Sequence, residues 1–369
     1  MRKIVLTLAA LFLFGGVANA QYEYKFTVVK ENPATSVKNQ ARTGTCWCFA
    51  TTSLMESELL RMGKGEYDLS EMYIVRKVYE ERMDDNYLRR GNGNLGPGAV
   101  SHMFLKAMGK YGLMPDVVYP GVDGGSGKHN HTALQSYVNE NSKLAVEAKK
   151  RMPEALKKGI LDAFLGELPA SFKYEGKEYT PQSFYKKLGL NADDYVEITS
   201  FTHHPFYERV PLEIPDNFDH ELFYNLPLNE LMETLDYAIN NGYTVAWDGD
   251  VSERSYDFAK GIALMTDADI KGTKSIKERY VETDVDQALR QKMFEDFTTT
   301  DDHLEHITGI AKDQEGVKYY KTKNSWGTER GIYEGYHYMS ENYVKGKTIA
   351  IILHKNAIPK EIKKKLGIK

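Results

Sequence analysis

Two cysteines, Cys46 and Cys48, are the only thiols in a chain of 369 residues, and they stand two positions apart. The run that begins at Cys46 reads as a helix, on which such positions point about 200° away from each other. Side chains that diverge in this way cannot form a disulfide. The fold must therefore rest on buried apolar surface, and 41% hydrophobic residues suffice for one large core or two lobes. The formal charge of −4, with no basic stretch interleaved with aromatics, argues against nucleic acid as a partner.

The first twenty residues read as a targeting segment. Arg2 and Lys3 precede an apolar run from Ile4 to about Val17, and Ala18-Asn19-Ala20 offers the small-x-small pattern that signal peptidases cut. The expectation is a cleaved signal peptide over 1–20 and an exported, periplasmic or extracellular protein that begins at Gln21. A transmembrane anchor would need about 20 apolar residues, and no cysteine beside the cut is available for a lipid. In an oxidising compartment, two unpaired thiols point to one kept for its reactivity, with a buried structural cysteine as the alternative.

The surrounding sequence separates the two thiols. Asn39-Gln40-Ala41-Arg42-Thr43-Gly44-Thr45 is polar and gives way at Cys46 to a helical pattern, with Trp47, Ala50, Leu54 and Ser57 on one face, ending near Gly63. Cys46 falls in the first turn, where unpaired backbone N–H groups and the helix dipole favour the thiolate. Cys48 falls on the core side as packing. A thiolate nucleophile needs a base that can also protonate the leaving group, and that base needs an orienting partner. Far downstream, Asp302-His303-Leu304-Glu305-His306 turns strand-like, and after a loop at 313–316 a second strand runs into Asn324-Ser325-Trp326-Gly327. A hairpin of these strands brings His303 beside Asn324.

Gln40, five residues, Cys46-Trp47, then Asp302-His303 and Asn324-Ser325-Trp326-Gly327 resemble the papain-like cysteine peptidases. Leu69-Ser70-Glu71-Met72-Tyr73, Asp194 to Ser200, Tyr224-Asn225-Leu226-Pro227 and Val245 to Val251 make the resemblance closer to the bleomycin hydrolase and aminopeptidase C branch. The resemblance implies Cys46 as nucleophile, His303 as general acid and base, and Asn324 as the residue that orients the ring. It implies an oxyanion hole from the Gln40 side chain and the Cys46 backbone N–H, with Trp326 shielding the His–Asn bond and Trp47 packing behind the nucleophile. Two donors aimed at a tetrahedral oxygen and a thiolate paired with an imidazolium are what acyl transfer requires. Cys46 is accordingly expected to be more acidic than a free thiol. The implied fold is α+β: a papain-like two-lobe peptidase domain over 21–369, with a helical lobe and an antiparallel β-rich lobe.

Departures from the simpler members of this family carry information. Thr43 stands where papain-type enzymes have a further cysteine, and Cys46 and His303 are 257 positions apart against roughly 130 to 150 in those enzymes. The excess is assigned to a helical insertion over about 122–200, with helices at 134–151 and 153–165, the second carrying Leu156, Ile160, Ala163 and Phe164 on one face. His306 competes with His303 but faces the other side of a strand. His203-His204 and His129-x-His131 have no acidic or thiol partner at a zinc-like spacing, so no metal is expected, and no cofactor is implied. Gly98 lies where the family binds the substrate backbone, although an ordinary loop is an equal reading. The basic tail over about 355–369 could gate the cleft or be a solvated Lys-rich run. The expected activity is peptide hydrolysis through Cys-His-Asn, as an aminopeptidase on short peptides. The alternatives are an endopeptidase or dipeptidyl-type peptidase, a thiol amidase or acyltransferase, and a silent binding protein. Family resemblance also suggests a homo-oligomer, a hexamer.

Overall fold

The structure is a computed structural model that describes residues 22–122, 128–271 and 279–369. The expected signal peptide over 1–20 and Gln21 lie outside the described residues. Among the described residues no helix is long and apolar enough to cross a membrane.

The helix that starts at the first cysteine runs from Cys46 to Arg61. It contains no Gly or Pro, and it ends where Gly63 takes a positive φ of 67° and Lys64 N–H reaches back to the Leu59 carbonyl at 2.9 Å. Every residue from Cys46 to Leu59 is buried, so the helix has no wet face; the single apolar stripe read from the sequence understates it. The strand His303–Lys312 packs along one side, and the helices Glu71–Leu88 and Ser101–Tyr111 along the other. Complete burial forces its polar residues to find partners. Glu56 accepts from the Leu69 N–H at 2.8 Å and from the Thr35 hydroxyl, with Lys38 3.7 Å away.

An eleven-stranded sheet forms the other half. Its order is Arg209–Pro211, Leu222–Asn225, Tyr195–Thr199, Thr348–His354, Val245–Gly249, His303–Lys312, Lys318–Lys323, Tyr336–Ser340, Ile262–Ala263 and Tyr256–Asp257. The strand Thr27–Glu31 pairs with the far half of His303–Lys312. The hairpin expected around Asp313–Gly316 is present: residues 306–312 run antiparallel to 318–323. Side chains alternate across His303–Lys312. Leu304 belongs to the cluster built on the Cys46–Arg61 helix, and His306 Nδ1 meets Ser53 Oγ of that helix at 2.8 Å. Ile307 belongs to the opposite core.

The insertion differs in detail from its sequence reading. Its helices span Thr132–Glu147 and Glu154–Leu165, followed by the hairpin of Phe172–Tyr174 with Lys177–Tyr179 and the helix Pro181–Leu188. Tyr195–Thr199 is already a strand of the main sheet, so the elaboration ends before it. Its core side chains join the cluster of the Cys46–Arg61 helix, and Arg76–Asp162 and Lys157–Asp84 pairs at 2.7 and 2.9 Å tie it on. The second helix buries Lys157, Ile160, Leu161 and Leu165, and leaves Leu156 44% exposed. The face is turned by one residue because the ion pair to Asp84 draws the Lys157 stem inward.

The C-terminal segment is not a solvated run. Lys360–Lys365 is a short helix whose Ile362, with Leu366 after it, is buried in the cluster that holds Leu228, Leu231 and Leu235. Lys365 pairs with Glu230 at 2.6 Å. Leu161 is fully buried, so Leu161→Ala is expected to cost about 2–5 kcal/mol, whereas Leu156→Ala should stay within about 0.5 kcal/mol. Chemical denaturation midpoints check both, and equal losses would return the helix to the face read from sequence.

Candidate active site

Cys46 is the first residue of its helix, with Thr45 as a cap whose hydroxyl meets Thr43 Oγ1 at 2.6 Å instead of a helix N–H. The Cys48 and Phe49 N–H groups donate to the Thr45 carbonyl at 2.9 and 3.3 Å, while those of Cys46 and Trp47 come before any carbonyl of the helix can reach them. Ahead of it, Gly44 adopts a φ of 64°, and a Cβ there would stand 2.8 Å from the Pro97 ring; only glycine lets the two loops close this tightly. Pro97 also accepts a hydrogen bond from Trp47 Nε1 at 3.0 Å, which fixes the indole behind the thiol. The Cys46 sulfur lies against the start of the His303–Lys312 strand, where the Leu304 N–H points at it.

His303 opens that strand and is 4% exposed. Its Nε2 meets Asn324 Oδ1 at 2.9 Å, which leaves Nδ1 free of the asparagine. The Trp326 ring covers the pair, with centroids 4.8 Å apart and planes inclined by 31°. The loop that carries Gln40 is zipped onto the one that carries Asn324. Gln40 N–H donates to the Ser325 carbonyl at 2.8 Å, Gly327 N–H to the Lys38 carbonyl at 3.1 Å, and Ser325 Oγ to Gln40 Oε1 at 2.6 Å. With its oxygen occupied, the buried Gln40 amide keeps Nε2 as its donor end. Gly98 follows Pro97, and its carbonyl is held by Arg82 Nη2 at 2.5 Å.

Beneath His303 and Asn324 lies a buried network that the sequence reading missed. Asn324 Nδ2 donates to Glu305 Oε1 at 2.5 Å and to the Tyr256 hydroxyl at 3.1 Å. The Tyr256 hydroxyl donates to the same Glu305 oxygen at 2.7 Å. His337 Nε2 stands 3.2 Å from Glu305 Oε2, and His303 Nε2 stands 3.7 Å from Oε1. Burial alone would raise the Glu305 carboxyl, but the His337 and His303 rings and the Tyr256 hydroxyl hold it below its ordinary value. It is a buried carboxylate, kept ionised by its partners. Glu305 was legible in principle, since it lies two positions from His303 and shares its face of the strand; Tyr256 and His337 arrive from other strands and leave no local signal.

The thiol departs from expectation. Burial pushes Cys46 up to about 12, and the Asp301 and Asp216 carboxylates add to the rise, against the Leu304 and Trp47 N–H groups that favour the thiolate. Burial also lowers His303, with Glu305 and Asn324 acting against it. Each group alone prefers its neutral form because losing water outweighs a helix terminus worth about 1 kcal/mol. A thiolate and an imidazolium formed together would offset part of that loss. Cys48 is fully buried, its thiol 3.3 Å from the Glu71 carbonyl, and burial raises it well above the ordinary value.

The remaining histidines are placed elsewhere. His306 is turned toward Ser53, in the middle of the helix. His203 and His204 direct Nε2 onto Glu213 at 3.1 and 2.9 Å, a surface trio whose potential ligand atoms lie within 4.8 Å of one another; the sequence reading had found no acid partner for them. Asp302 accepts from the Val251 N–H at 2.9 Å as a local cap.

A thiol at a helix start, a His–Asn pair on the strand packed against it and a buried glutamine tied to the asparagine's loop are the arrangement of a papain-like cysteine peptidase. The peptidase C1-like family model matches residues 94–368, and the chain belongs to that family. The match begins beyond Cys46 and includes His303 and Asn324. Aminopeptidase G of Lactobacillus delbrueckii subsp. lactis is 25% identical over 377 positions, covering 90% of this chain and 83% of the relative. Aminopeptidase C of Lactococcus lactis subsp. cremoris is 23% identical, covering 96% and 87%. Among solved structures, PepW from Lactobacillus rhamnosis HN001 (DR20) superposes with a TM-score of 0.69 at 21% identity, over 92% of this chain and 84% of the other, a likeness of fold.

Glu305→Gln tests the buried network. Neutralising a carboxylate hydrogen-bonded to Asn324 is expected to lower kcat/KM about 10- to 100-fold. It should also move the alkaline limb of the pH profile, where the His303 imidazolium loses its proton, to lower pH. An unchanged limb would mean that Glu305 only fills space.

Proposed function

We propose that this chain is a cysteine aminopeptidase that cleaves residues from the amino ends of short peptides. The observation that carries the reading is the convergence of Cys46, His303, Asn324 and Gln40, from three separate stretches of sequence, on one buried site. It is supported by the aminopeptidase relatives that align over most of the chain.

In this reading Cys46 transfers its proton to His303, and the thiolate attacks the carbonyl carbon of the first residue. The developing oxyanion is held by Gln40 Nε2 and the Cys46 N–H. The His303 imidazolium gives its proton to the departing amine, leaving a thioester on Cys46. Neutral His303 then draws a proton from water, and hydroxide attack releases the amino acid. Asn324 fixes the ring orientation throughout, and Trp326 keeps water from its hydrogen bond. Export through cleavage after Ala20 belongs to the same proposal.

Fluorogenic aminoacyl substrates under reducing conditions test it. The parent should turn over free-amine substrates, and Cys46→Ala should lose at least about 10³-fold in kcat. Gln40→Ala should lose about 10²- to 10³-fold. A Cys46→Ala protein as active as the parent, or a parent that cleaves neither free-amine nor N-blocked substrates, would overturn the reading.

A further inference from the structure

Three carboxyl groups from separate parts of the chain converge beside Cys46. Asp248 lies on the Val245–Gly249 strand directly opposite Leu304, the residue whose N–H points at the Cys46 sulfur. Asp301 precedes His303 by two positions, and its side chain shares a hydrogen bond with that of Asp248. Asp216 comes from the loop after the Arg209–Pro211 strand and lies over Gly98, where a Cβ would stand 2.3 Å from its Oδ2. A glycine at 98 is what leaves room for this carboxylate.

These acids lack the partners that buried acids ordinarily have. Among the described residues none of the three forms an ion pair, while the neighbouring Arg82 guanidinium donates to the carbonyls of Gly96 and Gly98. Asp248 is 5% exposed, and its Oδ1 has no hydrogen-bond partner, nor has Asp301 Oδ2. Apart from the proton these two carboxyls share, Asp248 Oδ1 and Asp301 Oδ2 have no donor, and Arg82 acts on Asp216 alone, next to a sulfur that must itself become negative. A cation at this pair would complete it, and the geometry says where one comes from. The α-nitrogen of a peptide's first residue is two bonds from the carbonyl carbon that the thiolate attacks, so whatever holds it must stand close to Cys46.

We propose that Asp216, Asp248 and Asp301 form the binding site for the α-ammonium group of the substrate's first residue. This rests on the aminopeptidase reading and adds the groups that select for a free amino end. The ammonium satisfies the open oxygens of Asp248 and Asp301, and its charge offsets the carboxylate field that otherwise opposes the Cys46 thiolate. A peptide with a blocked amino end brings no charge and leaves those oxygens unpaired, so it is rejected by the same groups.

The test compares kcat/KM for an aminoacyl-coumarin substrate and its N-acetyl counterpart in the parent, Asp216→Asn, Asp248→Asn and Asp301→Asn. The ratio of free-amine to N-acetyl activity is expected to fall about 10- to 100-fold in each variant that folds, as for loss of a charged hydrogen bond. Asp216 is only half-buried, so its variant keeps the test available if the buried positions do not tolerate change. Calorimetry on Cys46→Ala with leucinamide and N-acetyl-leucinamide gives a second readout, with binding of the free amine weakened by the added Asp216→Asn change and the acetylated ligand binding poorly in both. Variants that fold and keep the parent's ratio would overturn the anchor while leaving the aminopeptidase reading intact. A parent that shows no preference for free amines would overturn the reading itself.

Discussion

The packing of the Cys46–Arg61 helix along the His303–Lys312 strand is the contact on which the rest of the structure depends. It sets the helix start against the first residues of the strand, and it buries both sides. Alternation along the strand then divides the labour: 304 and 306 hold the helix, while 303 and 305 reach the polar network on the other face. The sequence around Gln40 is drawn in by hydrogen bonds to the Asn324–Gly327 loop. One interface therefore holds Cys46, His303, Asn324 and Gln40 in register without any covalent tie.

Burial that makes the site specific also makes its charges costly. Neither the Cys46 thiol nor the His303 ring favours its charged form alone, and the carboxyl groups on the thiol side oppose the thiolate further. Compensation is divided between two sides of the pair. Glu305, kept ionised beneath Asn324, favours an imidazolium at His303, and a cationic group at Asp216, Asp248 and Asp301 would favour the thiolate. Under the proposed anchor, coupling of this kind would keep the buried thiol neutral until a substrate of the right charge arrives.

Much of the site was legible because its chemistry is tied to local pattern. A helix start after Gly44, a Cys-Trp pair, and a hairpin ending in Asn-Ser-Trp-Gly state their structure within a few residues. Local pattern singles out Cys46, His303 and Asn324, while Gln40 and Trp326 enter through the family resemblance. What escaped lies across strands: Tyr256, His337 and Asp248 meet the site through sheet register, which sequence spacing does not encode. The helix terminus that favours a Cys46 thiolate can be read from sequence, whereas the loss of water that raises the thiol when it stands alone cannot. The insertion's buried face is off by one residue because Lys157, absent from the face read in the sequence, is buried with its ammonium on Asp84.

The central claim is that Cys46 becomes a thiolate only by giving its proton to His303. The pH dependence of Cys46 alkylation by iodoacetamide, followed by intact mass, tests it most directly. The parent should incorporate a single label, with a rate that persists below pH 7, while His303→Ala should react only at strongly alkaline pH, as a buried thiol without a partner does. Identical profiles for the two proteins, both rising only at alkaline pH, would contradict it.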